Sequence, residues 1–208
     1  MIHNLNFDAV VLANGDFPTA SIPLNILKGA SYIACCDGAV IRLDKCGLTP
    51  NVIVGDCDSI PASLKSKYSA ILHRVEEQET NDLTKTITYL QSTGKKRIAI
   101  VGATGKREDH TLGNISLLTE YMQSGLQVVM FTDYGYFAAC SGTAEFKSKP
   151  GQQISVFSFG AKNFRAEGLV YPLHDFTSLW QGTLNECNSE TFTIHADGNY
   201  ILFVNYFE

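Results

Sequence analysis

The sequence predicts an α/β domain with a mostly parallel sheet, residues 1–133, followed by an all-β sandwich, residues 134–208. Three observations carry this. Short apolar runs alternate with helix-like stretches through the first part, the pattern of βαβ units. Turn signals then recur at short intervals through the last part, as they do in antiparallel sandwiches. Finally, of 12 Phe, 9 Tyr and one Trp, only seven lie in residues 1–133 and the rest crowd the remainder, a compositional boundary between two domains.

In chain order, the strand-like runs of the first part are 9–13, 32–36, 52–54, 71–75, 98–101 and 128–131. Between them, 61–68, 82–91 and 111–122 carry apolar residues three and four apart, for example Leu112, Ile115, Leu118 and Met122, which predicts helices lying on the sheet. The last part offers strands at 137–140, 154–159, 192–195 and 200–205. They are punctuated by Ser141-Gly142, Pro150-Gly151, Phe159-Gly160 and Asp197-Gly198-Asn199.

Composition narrows the function. The chain has 208 residues, 45% hydrophobic and 18% charged, with a formal net charge of -5. A general hold on nucleic acid depends on Lys and Arg neutralising phosphates, so an acidic chain argues against it. No apolar run approaches the ~20 residues that cross a bilayer, and Asp8 interrupts the N-terminal candidate for a signal, so the expectation is a soluble cytoplasmic protein with no membrane partner. Cys35, Cys36, Cys46, Cys57, Cys140 and Cys187 show neither CxxC nor disulfide-ladder spacing, and read as reduced core thiols.

The loops at the carboxyl ends of the apolar runs in the first domain are the informative feature. In chain order they are Asn14-Gly15-Asp16, Asp37-Gly38-Ala39, Gly55-Asp56-Cys57-Asp58-Ser59, the segment 76–82 and Gly102-Ala103-Thr104-Gly105-Lys106-Arg107-Glu108-Asp109. In an open α/β sheet such loops emerge along one edge, where ligands bind. They and the helix start beside them bring glycines, carboxylates, and the cations Lys85, Lys106 and Arg107.

Two unit charges ~4 Å apart repel by roughly 4 kcal/mol at an effective dielectric of about 20, so gathering Asp56, Asp58 and Asp82 is costly without a cation. Mg2+ removes that cost and bridges substrate phosphates, which favours a metal–nucleotide site. Each loop alone has a plainer reading: Asp-Gly is a turn pair, and Asp82 complements the dipole of a helix capped by Asn81. Lys85, three residues after Asp82, shares its helical face, with Gln78 in the loop leading in. The 102–107 loop can cradle phosphate ahead of a helix beginning near His110, although it lacks the GxxxxGK[ST] form. His3, His73, His174 and His195 are isolated, and no GxSxG elbow supports serine-hydrolase chemistry.

Taken together, Asp37-Gly38-Ala39, Gly55-Asp56-Cys57-Asp58-Ser59, Gln78 with Asp82 and Lys85, and 102–110 with Asn114 resemble, in order and spacing, the motifs of the thiamine pyrophosphokinase family. Leu12-Ala13-Asn14-Gly15 resembles the family's first nucleotide loop. The segment 168–173 and Asn185-Glu186 resemble its thiamine-side segments.

That resemblance implies that ATP gives its terminal pyrophosphoryl group to the hydroxyl of thiamine, releasing AMP. It implies Mg2+ on Asp56, Asp58 and Asp82, phosphate neutralisation by Lys85 and Arg107, and Asp109 as a further metal ligand or the proton acceptor. ATP would be held by Asn14, Gly15, Asp37, Gly38, Ser59, Gly102, Thr104, Gly105, His110 and Asn114, and thiamine by Gln78, Tyr171 and Asn185. It implies a homodimer whose active sites are shared between one subunit's α/β domain and its partner's β-domain. Four positions depart from the pattern. Lys106 replaces the second glycine of Gly-Gly-Arg, Asn81 stands where Thr is common, Tyr171 where Trp is common, and Leu184 precedes Asn185 where Ser is frequent. Trp180 could stack on the cationic thiazolium, but a lone Trp in a β-domain reads first as core. Two other functions fit parts of the pattern: a phosphatase using an aspartate of Asp56-Cys57-Asp58 as nucleophile, and a nucleotide-binding module without turnover.

Overall fold

The computed structural model describes residues 6–207, and the chain forms two units. One comprises Asn6–Leu117 with Gly125–Asp133, the other Leu118–Ser124 with residues 134–207. The first contains β1 (Ala9–Leu12), β2 (Ile33–Cys36), β3 (Val52–Gly55), β4 (Leu72–Arg74), β5 (Arg97–Val101) and β6 (Gln127–Phe131). All pair in parallel, in the order β6-β5-β1-β2-β3-β4. Every residue of β1, β2 and β3 is buried, as expected of central parallel strands covered on both faces.

Register places the loops. Leu12 lies between Cys35 and Val101, and Cys36 pairs with Val54, so Asn14, Asp37, Asp56 and Gly102 all leave the sheet along one edge. The strand order reverses at β1, flanked by β2 on one side and β5 on the other, which makes the ends of β1 and β5 the switch point where open α/β sheets bind ligands.

The helices are α1 (Ser21–Lys28), α2 (Val40–Lys45), α3 (Ala62–Lys67), α4 (Asp82–Ser92) and α5 (Glu108–Gln123). In α4, Leu83, Ile87 and Leu90 are buried at three- and four-residue spacing, and the helix begins where Asn81 caps it by accepting from the Thr84 amide. The stripe expected of α5 is corrected: Leu118, Thr119 and Tyr121 are buried, whereas Leu112 is 65% exposed. Helix α1 has no side-chain cap at Ala20. Asp133 accepts instead from the Thr19 and Ala20 amides at 3.0 and 3.1 Å.

The second unit contains β7 (Gly135–Ser141), β8 (Ala144–Lys147), β9 (Gln153–Glu167), β10 (Asn185–Glu186) and β11 (Thr191–Asn205). They pair antiparallel as β10-β9-β11-β7, with β8 against the first half of β11. Here the turn signals mislead. Asp197-Gly198-Asn199 and Phe159-Gly160 do not end strands: β11 and β9 run through them with register shifts, and Gly198 adopts φ +114, a bulge rather than a turn. A straight 15-residue strand spans about 50 Å. The bulged pair of β9 and β11 folds over, so Phe192 and Ile194 from one half and Tyr200, Leu202 and Val204 from the other share one core with Val156 and Phe164. The two layers are halves of the same strands.

Candidate active site

A cavity of about 470 Å3 opens at the β1/β5 switch point, a size suited to a small ligand. From β1 it takes Asn14 and Gly15, from β3 Asp56, from the 76–81 loop Gln78, Thr80 and Asn81, from α4 Asp82 and Lys85, and from the β5 loop Gly105, Lys106 and Arg107. His110 and Asn114 of α5 complete the wall.

Backbone pairing fixes the two glycine-bearing loops to each other. The Gly15 amide donates to the Gly102 carbonyl at 2.7 Å and the Asp16 amide to the Thr104 carbonyl at 2.8 Å. A Cβ on Gly15 would lie 2.4 Å from that Thr104 oxygen, so the approach requires glycine. Gly102 and Thr104 therefore brace the β1 loop through their carbonyls, and neither lines the cavity. Lys106 reaches back too, its Nζ donating to the Asn14 carbonyl at 2.8 Å.

The acidic groups are crowded beneath the cavity. Asp37 is 3% exposed and its Oδ1 has no hydrogen-bond partner. A Cβ placed on Gly55 would lie 2.8 Å from the Asp37 Cβ and 3.3 Å from Asp82 Oδ1, so the two carboxylates flank that glycine. Burial raises the Asp82 carboxyl above its ordinary value, and the charges of Asp37 and Asp56 push it further, against the opposing pull of Lys85. Asp58 is exposed outside the cavity wall, its amide donating to Asp56 Oδ1 at 3.0 Å. Among the described residues no three acidic, His or Cys side chains are already gathered as metal ligands. An oxygen-only set of like charges with an orphaned buried oxygen nonetheless suits a hard divalent cation.

Lys85 brings a buried ammonium to 3.7 Å from Asp82 Oδ1. Arg107 grips Asp109 with both arms of its fork, Nη2 to Oδ2 at 2.5 Å and Nε to Oδ1 at 3.1 Å. That pairing holds the Asp109 carboxyl at about 2, which makes it a weak base near neutrality. Asp109 lies outside the wall, as do Asp37, Gly38 and Ser59. Gly38 sits against both Asn14 and Ser59.

Tyr171 and Asn185 belong to the second unit. Asn185 is buried, donating to the Tyr171 carbonyl at 2.8 Å and accepting from the Tyr171 and Glu186 amides, so it fixes the backbone that presents a 60% exposed Tyr171 ring. Trp180 is not core: it is 72% exposed on a 3-10 turn, Leu179–Gly182.

Sequence reasoning missed Cys36. The buried thiol at the end of β2 lines the cavity, bonded to the Thr86 hydroxyl at 3.3 Å, and burial pushes it up to about 12. Its apolar run gave no sign that it closes the floor. The six cysteines are free, and His3 lies outside the described residues.

A parallel-sheet domain with cations, carboxylates and a glycine loop at its switch point defines a phosphoryl-transfer type of site. Comparison with known proteins identifies which. The thiamin pyrophosphokinase catalytic domain matches residues 24–130, and the thiamin pyrophosphokinase substrate-binding domain residues 135–203. Thiamine pyrophosphokinase 2 of Arabidopsis thaliana is 32% identical over 93% of this chain and 84% of its own length. Thiamine pyrophosphokinase 1 of Oryza sativa subsp. japonica is 34% identical over 40% of this chain and 35% of its own. Among solved structures, thiamin pyrophosphokinase from Candida albicans aligns with TM-score 0.82 at 18% identity, covering 97% of this chain and 90% of that one. Thiamine pyrophosphokinase from Bacillus subtilis aligns with TM-score 0.78 at 19% identity, covering 95% and 99%. The chain belongs to the thiamine pyrophosphokinase family. Its two units have the fold of those structures.

Proposed function

We infer that the protein transfers the pyrophosphoryl group of ATP to the hydroxyl of thiamine, giving thiamine diphosphate and AMP. The observation that carries this is one cavity walled by Lys85, Arg107, Asp56 and Asp82 beside a glycine loop, in a chain matched by both domains of the family. The thiamine hydroxyl releases its proton to solvent as its oxygen forms a bond to the β-phosphorus, the bond from that phosphorus to the α–β bridging oxygen breaks, and AMP departs with that oxygen. Such a transfer asks the protein for positioning and charge stabilisation.

Lys85 and Arg107 neutralise the moving phosphates. Asn14, Gly15, Gly105 and His110 border the nucleotide, while Asp37, Gly38, Ser59, Gly102 and Thr104 shape its loops from behind. Asp56 and Asp82, joined by Asp58 from the same loop as Asp56, would hold Mg2+, which when bound supplies charge neutralisation to the triphosphate. Asp109, paired with Arg107, orients that guanidinium better than it accepts a proton.

Residues 1–133 form the catalytic nucleotide-binding domain and 134–208 the thiamine-binding and dimerisation domain. Gln78, Tyr171 and Asn185 serve thiamine, Asn185 through the backbone it fixes. A homodimer that shares its active sites is supported by exposed Val170, Tyr171, Leu179, Trp180 and Leu184, apolar surface for a partner to cover. A cytoplasmic location is supported by the free cysteines. No described helix is long and apolar enough to cross a membrane. The aspartate-nucleophile phosphatase is not favoured, since both domain matches name pyrophosphokinase. Incubation with ATP, Mg2+ and thiamine tests the assignment: AMP forms in step with thiamine diphosphate, and ADP with orthophosphate contradicts it.

A further inference from the structure

Two amide side chains join α4 to the β5 loop by a continuous run of hydrogen bonds. Asn81 Oδ1 accepts from the Thr84 amide at 2.9 Å, and Asn81 Nδ2 donates to Asn114 Oδ1 at 3.2 Å. Asn114 Nδ2 donates to the Ala103 carbonyl at 2.8 Å. Both ends are backbone groups of fixed polarity. The Thr84 amide can only donate and the Ala103 carbonyl can only accept, so each amide has a single orientation that satisfies the run.

We propose that Asn81 and Asn114 are positioning residues that set α4 against the glycine loop, so that Lys85 and Asp82 on one element and Arg107 on the other meet the same phosphates. The inference rests on the reaction assigned above. Helix α4 is packed through Leu83, Ile87 and Leu90, but the loop residues 76–81 and 105–110 are exposed, which leaves little side-chain packing to fix the two loops. The tie bridges them at Asn81, which immediately precedes Asp82, and at Ala103, four residues before Arg107.

Capping alone does not explain Asn81. A threonine hydroxyl could accept from Thr84 equally well, but it is too short to reach Asn114 at the same time. Asn114 lines the cavity, and its two internal bonds use one lone pair and one N–H of the amide, so bracing the loop is compatible with the nucleotide contact expected of it.

The experiment compares Asn81→Thr, Asn114→Leu and the double variant with the unaltered protein. Thermal melting, amide hydrogen exchange across 103–107 without substrate, and kcat and KM are measured for each. Asn81→Thr keeps its cap and melts near the unaltered protein, yet its loop amides exchange about tenfold faster and kcat falls about tenfold with the KM for thiamine unchanged. The double variant is no worse than Asn114→Leu alone, because either change breaks the same run. Unaltered exchange and kcat in Asn81→Thr, or losses that multiply in the double variant, overturn the proposal. Absence of AMP formation by the unaltered protein would refute the assigned reaction instead, while the exchange measurements still decide whether the tie orders the loop.

Discussion

The Lys85 ammonium stands 3.7 Å from Asp82 Oδ1 one turn along α4, with its side chain 3% exposed against 40% for Asp82. On an open helix face this spacing is a weak ion pair. Burial holds the Lys85 side chain in one place at the cavity wall. Lys85→Met keeps most of the packing volume and removes only the charge. Turnover, measured as AMP release, should fall at least about 100-fold, as when one stabilising donor is lost from a transition state. Turnover within threefold of the unaltered enzyme would show that the ammonium faces no reacting phosphate.

Asp109 is the second case. With its carboxyl held at about 2 by Arg107, it stays ionised throughout the working pH range. Asp109→Asn should therefore lower kcat without moving the midpoints of the pH–rate profile. A displaced midpoint would make Asp109 the titrating base.

Asp8 controls stability rather than activity. Hydrogen bonds from the Arg97 and Lys96 amides, with the Arg97 side chain, hold its carboxyl at about 2. A depressed carboxyl contributes stability above its ordinary value that is lost as pH falls from about 4 toward 2. Asp8→Asn should melt about 2–4 °C lower at pH 7, corresponding to roughly 1 kcal/mol, and the gap should shrink steadily as pH falls from about 4 to 2. A gap undiminished at pH 2 would mean lost packing.

Lys106 occupies left-handed backbone at φ +59 while its ammonium ties back to Asn14. Glycine relieves the strain and alanine keeps it. Lys106→Gly should be more stable than Lys106→Ala by about 1 kcal/mol, measured by urea unfolding. Equal stabilities would place the value of this residue wholly in its side chain.

The strands and loops of the α/β unit were legible because the central apolar runs fit buried strands and are succeeded by turn chemistry; the 71–75 run forms the edge strand β4, which is not buried. Asn81 as cap and Asp82 with Lys85 on one face can be read from local spacing alone. Other features depend on partners remote in sequence. Helix α1 has no capping residue of its own, and Asp133 supplies one from 113 residues away. Gly198 reads locally as a turn, and only the pairing of β11 with β9 makes it a bulge. Asn185 and Asn114 have side chains suited to ligands, and both are also engaged by backbone or a neighbouring amide. Residue type does not reveal that. Trp180 is exposed against the usual tendency of a lone tryptophan, on a 3-10 turn that composition does not foretell.

The most direct measurement tracks the phosphorus itself, with ATP carrying its label at the β-phosphate, together with thiamine and Mg2+. The label should arrive in thiamine diphosphate, leaving AMP unlabelled, and Asp82→Asn should stop its transfer. Label recovered in ADP, or thiamine left unmodified while ATP is consumed, would contradict the account.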